Sequence, residues 1–195
     1  MQNQLTILYA FFLLISSSTF ADNITLVENA RKQIGVTLSY DPKYRKIDFP
    51  MGDVPETTGV CTDVVIRAYR QQGLDLQQAV NKDMKSAWAK YPKLWGLKTT
   101  DPNIDHRRVP NLETFFSRHG QTLSLTDLST FQAGDIVTWR LPKNLPHIGI
   151  VSDKKSSDGT PLIIHNIGRG TQEEDVLFKY KIVGHYRLPE NMKFK

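Results

Sequence analysis

The sequence predicts an α+β domain in which helices from the first half of the chain pack on an antiparallel β-sheet formed by the second half. Up to Gly120, apolar residues recur at the three- and four-residue spacing of amphipathic helices. Beyond it, short β-branched and aromatic runs alternate with Gly, Pro, Asp and Lys, which is typical of antiparallel strands. The chain has 195 residues, enough for one domain, which we assign to residues 22–195.

Four segments of the first half have a helical pattern. They cover residues 24–34, 60–72, 74–91 and 109–119, and the first would bury a stripe formed by Ile24, Leu26, Val27, Ala30 and Ile34. The second begins at the only cysteine, Cys61, and ends before Gly73. Residues 36–59 are irregular and contain three prolines, which predicts a long surface loop. Loops of that length are often functional.

Four segments of the second half read as strands: residues 134–141, 147–152, 161–167 and 181–189. A symmetric hairpin between the second and third would pair Val151 with Pro161 and His147 with His165. The two imidazoles would then lie side by side, with Cβ atoms about 5 Å apart. A slip of one residue would separate them onto opposite faces of the sheet.

Residues 1–21 predict a secretory signal peptide. An apolar run, LTILYAFFLLI, is followed by small residues ending at Ala21. The run is too short to span a bilayer comfortably, so we expect cleavage after about Ala21 rather than a retained anchor. The mature protein would be periplasmic or secreted, without a stable membrane anchor.

The net charge of +5 arises from basic residues scattered singly and in pairs. There is no long Lys/Arg run and no zinc-finger spacing, so the sequence does not predict a nucleic-acid partner. An anionic polymer or surface remains compatible with this charge.

A single cysteine in an exported protein has no intrachain disulfide partner, so it is a reactive thiol, an intermolecular bridge or a small buried hydrophobe. Cys61 opens a helix, where the pKa of a thiol falls below its usual value of about 8.5. We predict that Cys61 is a nucleophile, His147 its general base and His165 the group that orients His147. Asp63 should oppose this effect unless it pairs with Arg67, one helical turn away.

The sequence predicts no cofactor and no metal site, since the thiol and the histidines lack short ligand spacing. We assign His106, His119 and His185 structural roles. Asn166, beside His165, is a fallback orienting group, although strand alternation directs it to the other face.

These residues resemble the NlpC-type, papain-like cell-wall cysteine peptidases. The motif around Cys61 is similar to that family's Asp-Cys-Ser-Gly-Phe-Val, while residues 133–137, 147–151 and 163–165 match its Pro-Gly-Asp, base-bearing and third-residue strands. The resemblance covers about Gly59 to Gly168. Val60 and Asp63 depart from the motif, and the inserted region 74–132 is not typical of the family.

The resemblance implies a papain-like fold and hydrolysis of an amide bond in peptidoglycan stem peptides. It also implies a tyrosine near the oxyanion site, for which Tyr40 and Tyr44 are the candidates. Two alternatives remain open. One is a non-catalytic cell-wall-binding module that keeps the fold, and the other is a thiol acyltransferase or esterase acting on lipid.

Overall fold

The computed structural model describes residues 17–189 and 192. Within them the chain forms four α-helices: α1 (Ser17–Arg31), α2 (Cys61–Arg70), α3 (Leu76–Ser86) and α4 (Val109–His119). Its strands are β1 (Ser39–Tyr40), β2 (Thr58–Gly59), β3 (Gln121–Thr122), β4 (Ile136–Leu141), β5 (Leu145–Lys155), β6 (Pro161–Asn166), β7 (Thr171–Glu174) and β8 (Lys181–Arg187). Short 3-10 turns include Leu94–Gly96, Asp105–Arg107 and Pro142–Asn144.

The predicted signal peptide falls mostly outside the described residues. Residues 1–16 are not described, and residues 17–21 begin α1. Cleavage after about Ala21 therefore stays a prediction, as does the domain boundary that depends on it.

Six strands form one antiparallel sheet in the order β3-β8-β4-β5-β6-β7. The α+β class is therefore confirmed. All four helices contribute to a core on one face of this sheet, where Ile136, Ile148, Ile150 and Ile164 are fully buried. A smaller cluster around Trp139 covers the other face. Because both faces are covered, side chains on either one are removed from water.

The element boundaries differ from the prediction where local signals are weak. Helix α1 ends at Arg31, so Ile34 lies beyond it and is exposed, contrary to its predicted core position. The predicted loop 36–59 contains β1 and β2, which pair in parallel and bring Tyr40 opposite Gly59. Strand β7 was not predicted, because its sequence, TQEE, has no apolar alternation.

The predicted register of β5 and β6 is wrong by two residues. Val151 pairs with Ile163 rather than with Pro161, and Ile150 pairs with Ile164. A shift of two residues preserves the face to which each side chain points. His147 and His165 therefore share a face, as predicted, but lie diagonally to each other instead of directly opposite.

Arg67 ties the long loop before Cys61 to helix α2. Its guanidinium binds Asp53 through two hydrogen bonds of 2.9 and 3.1 Å. It also donates to Thr37 Oγ1 and to four backbone carbonyls, those of Val54, Pro55, Glu56 and Thr58. The predicted pair of Asp63 with Arg67 is therefore wrong, because Arg67 is fully engaged by the loop.

Asp135 is a buried anchor at the start of β4. Its carboxylate, fully shielded from solvent, accepts from Arg187 Nε at 2.6 Å and lies 2.8 Å from His185 Nε2. It also accepts from the backbone amide of Gln132. His185 thus has the structural role predicted for it, and Asp135 joins β4 to β8.

We predict that Asp135→Ala lowers the free energy of unfolding by about 3 kcal/mol, because it leaves the buried His185 and the half-buried Arg187 without their carboxylate. Denaturant unfolding followed by circular dichroism measures the change. Asp175→Ala, which truncates an exposed aspartate, serves as the control and should alter the free energy of unfolding by less than about 0.5 kcal/mol. Equal losses in the two variants would contradict this assignment.

Candidate active site

Cys61 lies at the first position of α2 and is only 3% exposed. It lines a cleft of about 380 Å³ together with His147. The backbone amide of Ile148, the residue after His147, hydrogen-bonds the sulfur. The thiol and the predicted base therefore line the same cleft, although they come from a helix and a strand more than 80 residues apart in sequence.

Burial raises the pKa of the Cys61 thiol to about 12, and the charge of Asp63 acts in the same direction. Hydrogen bonds from the amides of Ile148 and Thr62 lower the pKa, but burial dominates. The amides at the helix start therefore act in the expected direction, but the net pKa of Cys61 in the free protein is raised rather than lowered. Cys61 rests as a neutral thiol.

Behind His147 runs a chain of three hydrogen-bonded side chains. His147 Nε2 lies 2.8 Å from His165 Nδ1, and His165 Nε2 lies 3.0 Å from Glu174 Oε2. Both rings are buried, and burial lowers both pKa values, that of His147 to about 3. The charge of Glu174 partly offsets the effect at His165. Both imidazoles are thus neutral near pH 7.

The carboxylate of Glu174 determines which ring nitrogens of His165 and His147 carry a proton. A carboxylate only accepts hydrogen bonds, so Nε2 of His165 carries the proton and its Nδ1 is an acceptor. Nε2 of His147 must then donate to that nitrogen, which leaves Nδ1 of His147 unprotonated. The chain therefore leaves His147 with one unprotonated ring nitrogen, Nδ1, that can accept a proton.

Gly149 makes the diagonal contact between the two histidines feasible. A Cβ atom at this position would lie 2.6 Å from Ile163 Cγ2 and 3.1 Å from the Cβ atom of His165. A side chain here would therefore occupy the space in which His165 leans toward His147. The glycine in the sequence HIGIV has a steric role.

The structure separates the two candidate tyrosines. The Tyr40 hydroxyl hydrogen-bonds the Cys61 side chain, and burial with the neighbouring thiol raises its pKa. Tyr44 is 59% exposed and its hydroxyl binds Asp101 and Asn103 instead. Only Tyr40 lines the cleft with Cys61, so the pairing of β1 with β2 selects the tyrosine that reaches the sulfur.

Asp63 and Asn166 hold the backbone around Cys61. Asp63 accepts from the amide of Val60 at 2.6 Å and forms a buried two-bond ion pair with Arg107, both bonds 2.9 Å long. Asn166 points away from His165, as expected, and donates to the carbonyl of Gly59 at 3.1 Å. Neither side chain contacts the imidazoles through a hydrogen bond in the described part of the chain. Both support the position of the cysteine.

Sequence reasoning missed two residues of this site. Glu174 lies on the unpredicted strand β7, where a polar stretch gave no strand signal. Arg107 lies in the inserted region, 44 residues after its partner Asp63, and an isolated Arg-Arg pair gives no indication of a long-range contact. The position of Asp63 next to the apolar run Val64-Val65-Ile66 was a signal that could have indicated a buried carboxylate with a cationic partner.

A family described as "Domain of unknown function (DUF1287)" matches residues 27–188, which include every residue of the candidate site. The chain belongs to this family. A relative, "Uncharacterized protein YijF" of Escherichia coli (strain K12), is 59% identical over 166 residues, covering 85% of this chain and 81% of that protein. The six-stranded sheet, helices α2 to α4 and the candidate site all lie within residues 27–188, whereas α1 begins before them.

Among solved structures, that of NlpC1 from Trichomonas vaginalis is similar to this DUF1287 chain. The match covers 92% of the chain at 14% sequence identity, with a TM-score of 0.48. The chain spans about half the length of that protein (48%).

Two searches of the described residues bear on ligands and membranes. No group of three or more His, Cys, Asp or Glu side chains among them has the arrangement of a metal site. No helix among them has both the length and the apolar character needed to cross a bilayer.

We predict that alkylation of Cys61 by iodoacetamide accelerates about tenfold per pH unit from pH 7 to pH 9, because only the thiolate reacts and its fraction grows tenfold per unit below the raised pKa. Mass spectrometry of the intact protein measures the rate. The denatured chain is the control, and there the rate should level off above the ordinary thiol pKa of about 8.5. A rate in the folded protein that is already constant at pH 7 would contradict the raised pKa.

Proposed function

We propose that this protein is an exported cysteine hydrolase that cleaves an amide bond in peptidoglycan stem peptides. Cys61 is the nucleophile, His147 the general base and His165 the group that orients it. The hydrogen-bonded chain from Glu174 through His165 to His147 supports the proposal, because it leaves a basic nitrogen on His147, which lines the same cleft as the thiol.

In the reaction, the Cys61 proton passes to Nδ1 of His147 as the sulfur bonds to the amide carbonyl carbon. The resulting oxyanion is stabilised by backbone amides at the start of α2 and by the Tyr40 hydroxyl. His147 then returns the proton to the leaving amine as the carbon–nitrogen bond breaks. Water, deprotonated by His147, attacks the thioester, and the carboxylic acid leaves with the thiol restored.

The thiol of Cys61 and the imidazole of His147 are both neutral in the free protein. We therefore place the first proton transfer after the substrate has bound. Burial disfavours the thiolate–imidazolium pair in the free protein. When substrate is bound, charge can pass from the sulfur to the carbonyl oxygen within the same step. The base is therefore needed during attack rather than beforehand, as in hydrolases that activate a neutral hydroxyl.

Two parts of the proposal are more specific than hydrolase activity: the peptidoglycan substrate and the NlpC-type enzyme class. They are supported by the motifs at Cys61, His147 and His165 and by their order along the chain. The predicted signal peptide and the excess of basic residues are compatible with an exported protein acting on an anionic polymer.

We predict that Cys61→Ala abolishes the release of peptide fragments from purified sacculi, because no other thiol is present to form the thioester. Mass spectrometry of the soluble muropeptides measures release and identifies the bond that is cut. The alanine variant should retain the wild-type circular dichroism spectrum and a similar Tm. Undiminished release by this variant would discard Cys61 as the nucleophile.

We predict that Glu174→Ala lowers kcat/KM by at least about tenfold, because His165 loses the acceptor that sets its tautomer. Glu174→Gln keeps an acceptor oxygen and should recover part of the loss, which a purely structural role would not require. Glu173→Gln is the matched control, since this neighbouring carboxylate binds Arg31 rather than the histidines. Equal kinetic losses at Glu173 and Glu174 would contradict the role assigned to Glu174.

A second candidate function is a non-catalytic wall-binding module. The burial of Cys61 and its raised thiol pKa favour this alternative, because a structural cysteine has the same properties. Wild-type protein that binds sacculi in a pull-down but releases no soluble peptide under any pH tested would support it over the hydrolase.

A further inference from the structure

The cleft containing Cys61 is lined by basic but not by acidic side chains of the described residues. Its lining includes two consecutive arginines, Arg107 and Arg108. Most of the remaining lining is apolar, including Trp95, Leu141 and Leu145. A low-polarity cleft with cationic groups favours an anionic ligand.

The two arginines differ in how strongly they are held. Both hydrogen bonds from Arg107 to Asp63 are 2.9 Å long, and the pair is buried, so its charge is neutralised. Arg108 is held more loosely, by one ion pair to a described residue, in which it donates to the buried carboxylate of Asp105 at 3.4 Å. Its guanidinium can donate five hydrogen bonds, so Arg108 has donor capacity to offer a ligand.

Trp95 fixes the orientation of Arg108. The guanidinium carbon lies 4.3 Å from the centroid of the indole ring, which is a cation–π contact. Trp95 is 54% exposed and has a φ of +64°, a conformation that is costly for a bulky residue. A strained, exposed tryptophan at the cleft mouth is more readily explained by ligand binding than by core packing.

A second cavity, of about 550 Å³, continues from the cleft past Trp95 and also shares Pro110 and Pro146 with it. An extended peptide ligand can therefore lie across Arg108 and Trp95, with one end at Cys61 and the rest in the second cavity. Arg108 and Trp95 both lie between helix α3 and strand β3 along the chain.

We propose that Arg108, positioned by Trp95, binds a free carboxylate of the peptide substrate next to the amide bond attacked by Cys61. The inference rests on the proposed function and narrows its substrate class to peptides with an ionised carboxyl group beside the cleaved bond. Arginine suits this ligand because its planar guanidinium forms two parallel hydrogen bonds with a carboxylate. A carboxamide at the same position has lost the charge and presents a donor to the cation.

Binding to the Cys61→Ala protein tests the proposal without turnover. The probes are a synthetic stem peptide with free carboxyl groups and the same peptide with those groups converted to carboxamides, each titrated by calorimetry. We expect the carboxamide peptide to bind about tenfold to a hundredfold more weakly. Adding Arg108→Gln should weaken binding of the free-acid peptide to the same level, whereas Arg108→Lys should restore part of the preference.

Lys143→Gln is the matched control, because it removes one positive charge from an exposed turn that does not line the cleft. This control should keep the preference for the free acid. Trp95→Ala should reduce the preference, and Trp95→Phe should retain part of it, since phenylalanine still offers a ring face to the guanidinium.

Equal affinity for the two peptides, no binding of either, or a preference that survives Arg108→Gln would each overturn the proposal. The proposed function is judged separately, by release of fragments from sacculi by the wild-type protein. Release with equal affinities leaves the hydrolase in place and removes the carboxylate site. A preference that depends on Arg108, without any release, supports the carboxylate site in a binding module.

Discussion

The pairing of β5 with β6 is the constraint on which the candidate site depends. Their register brings His147 and His165 to one face of the sheet, and any odd shift would separate them. The diagonal arrangement also needs an empty position between the two rings, which Gly149 provides. Glu174 on the next strand then completes the chain. Three adjacent strands thus determine where the protons of the site reside.

At Cys61 two electrostatic effects compete, and desolvation is the stronger. The start of α2 and the amide of Ile148 favour a thiolate, but the residue is almost fully buried and Asp63 lies nearby. Arg107 neutralises Asp63, which lessens the repulsion without supplying a positive charge to the sulfur. The thiol of the free protein is therefore uncharged near neutral pH.

Much of this architecture was predictable because it depends on local periodicity. The helix that begins at Cys61 and the face shared by the two histidines follow from spacing alone. The exact register did not, since the bulge between Val151 and Lys155 alters the hairpin in a way that no local pattern encodes. The contacts of Glu174 and Arg107 are long-range choices among many charged residues, and a single sequence cannot rank them.

The network around Arg67 has a consequence for binding energetics. One buried guanidinium holds Asp53, Thr37 and four carbonyls of the segment that leads to Cys61. That segment also includes Tyr40, so this wall of the cleft is already ordered before any ligand arrives. A ligand that docks there loses little affinity to freezing the loop, and its binding free energy remains available for the contacts that it makes itself.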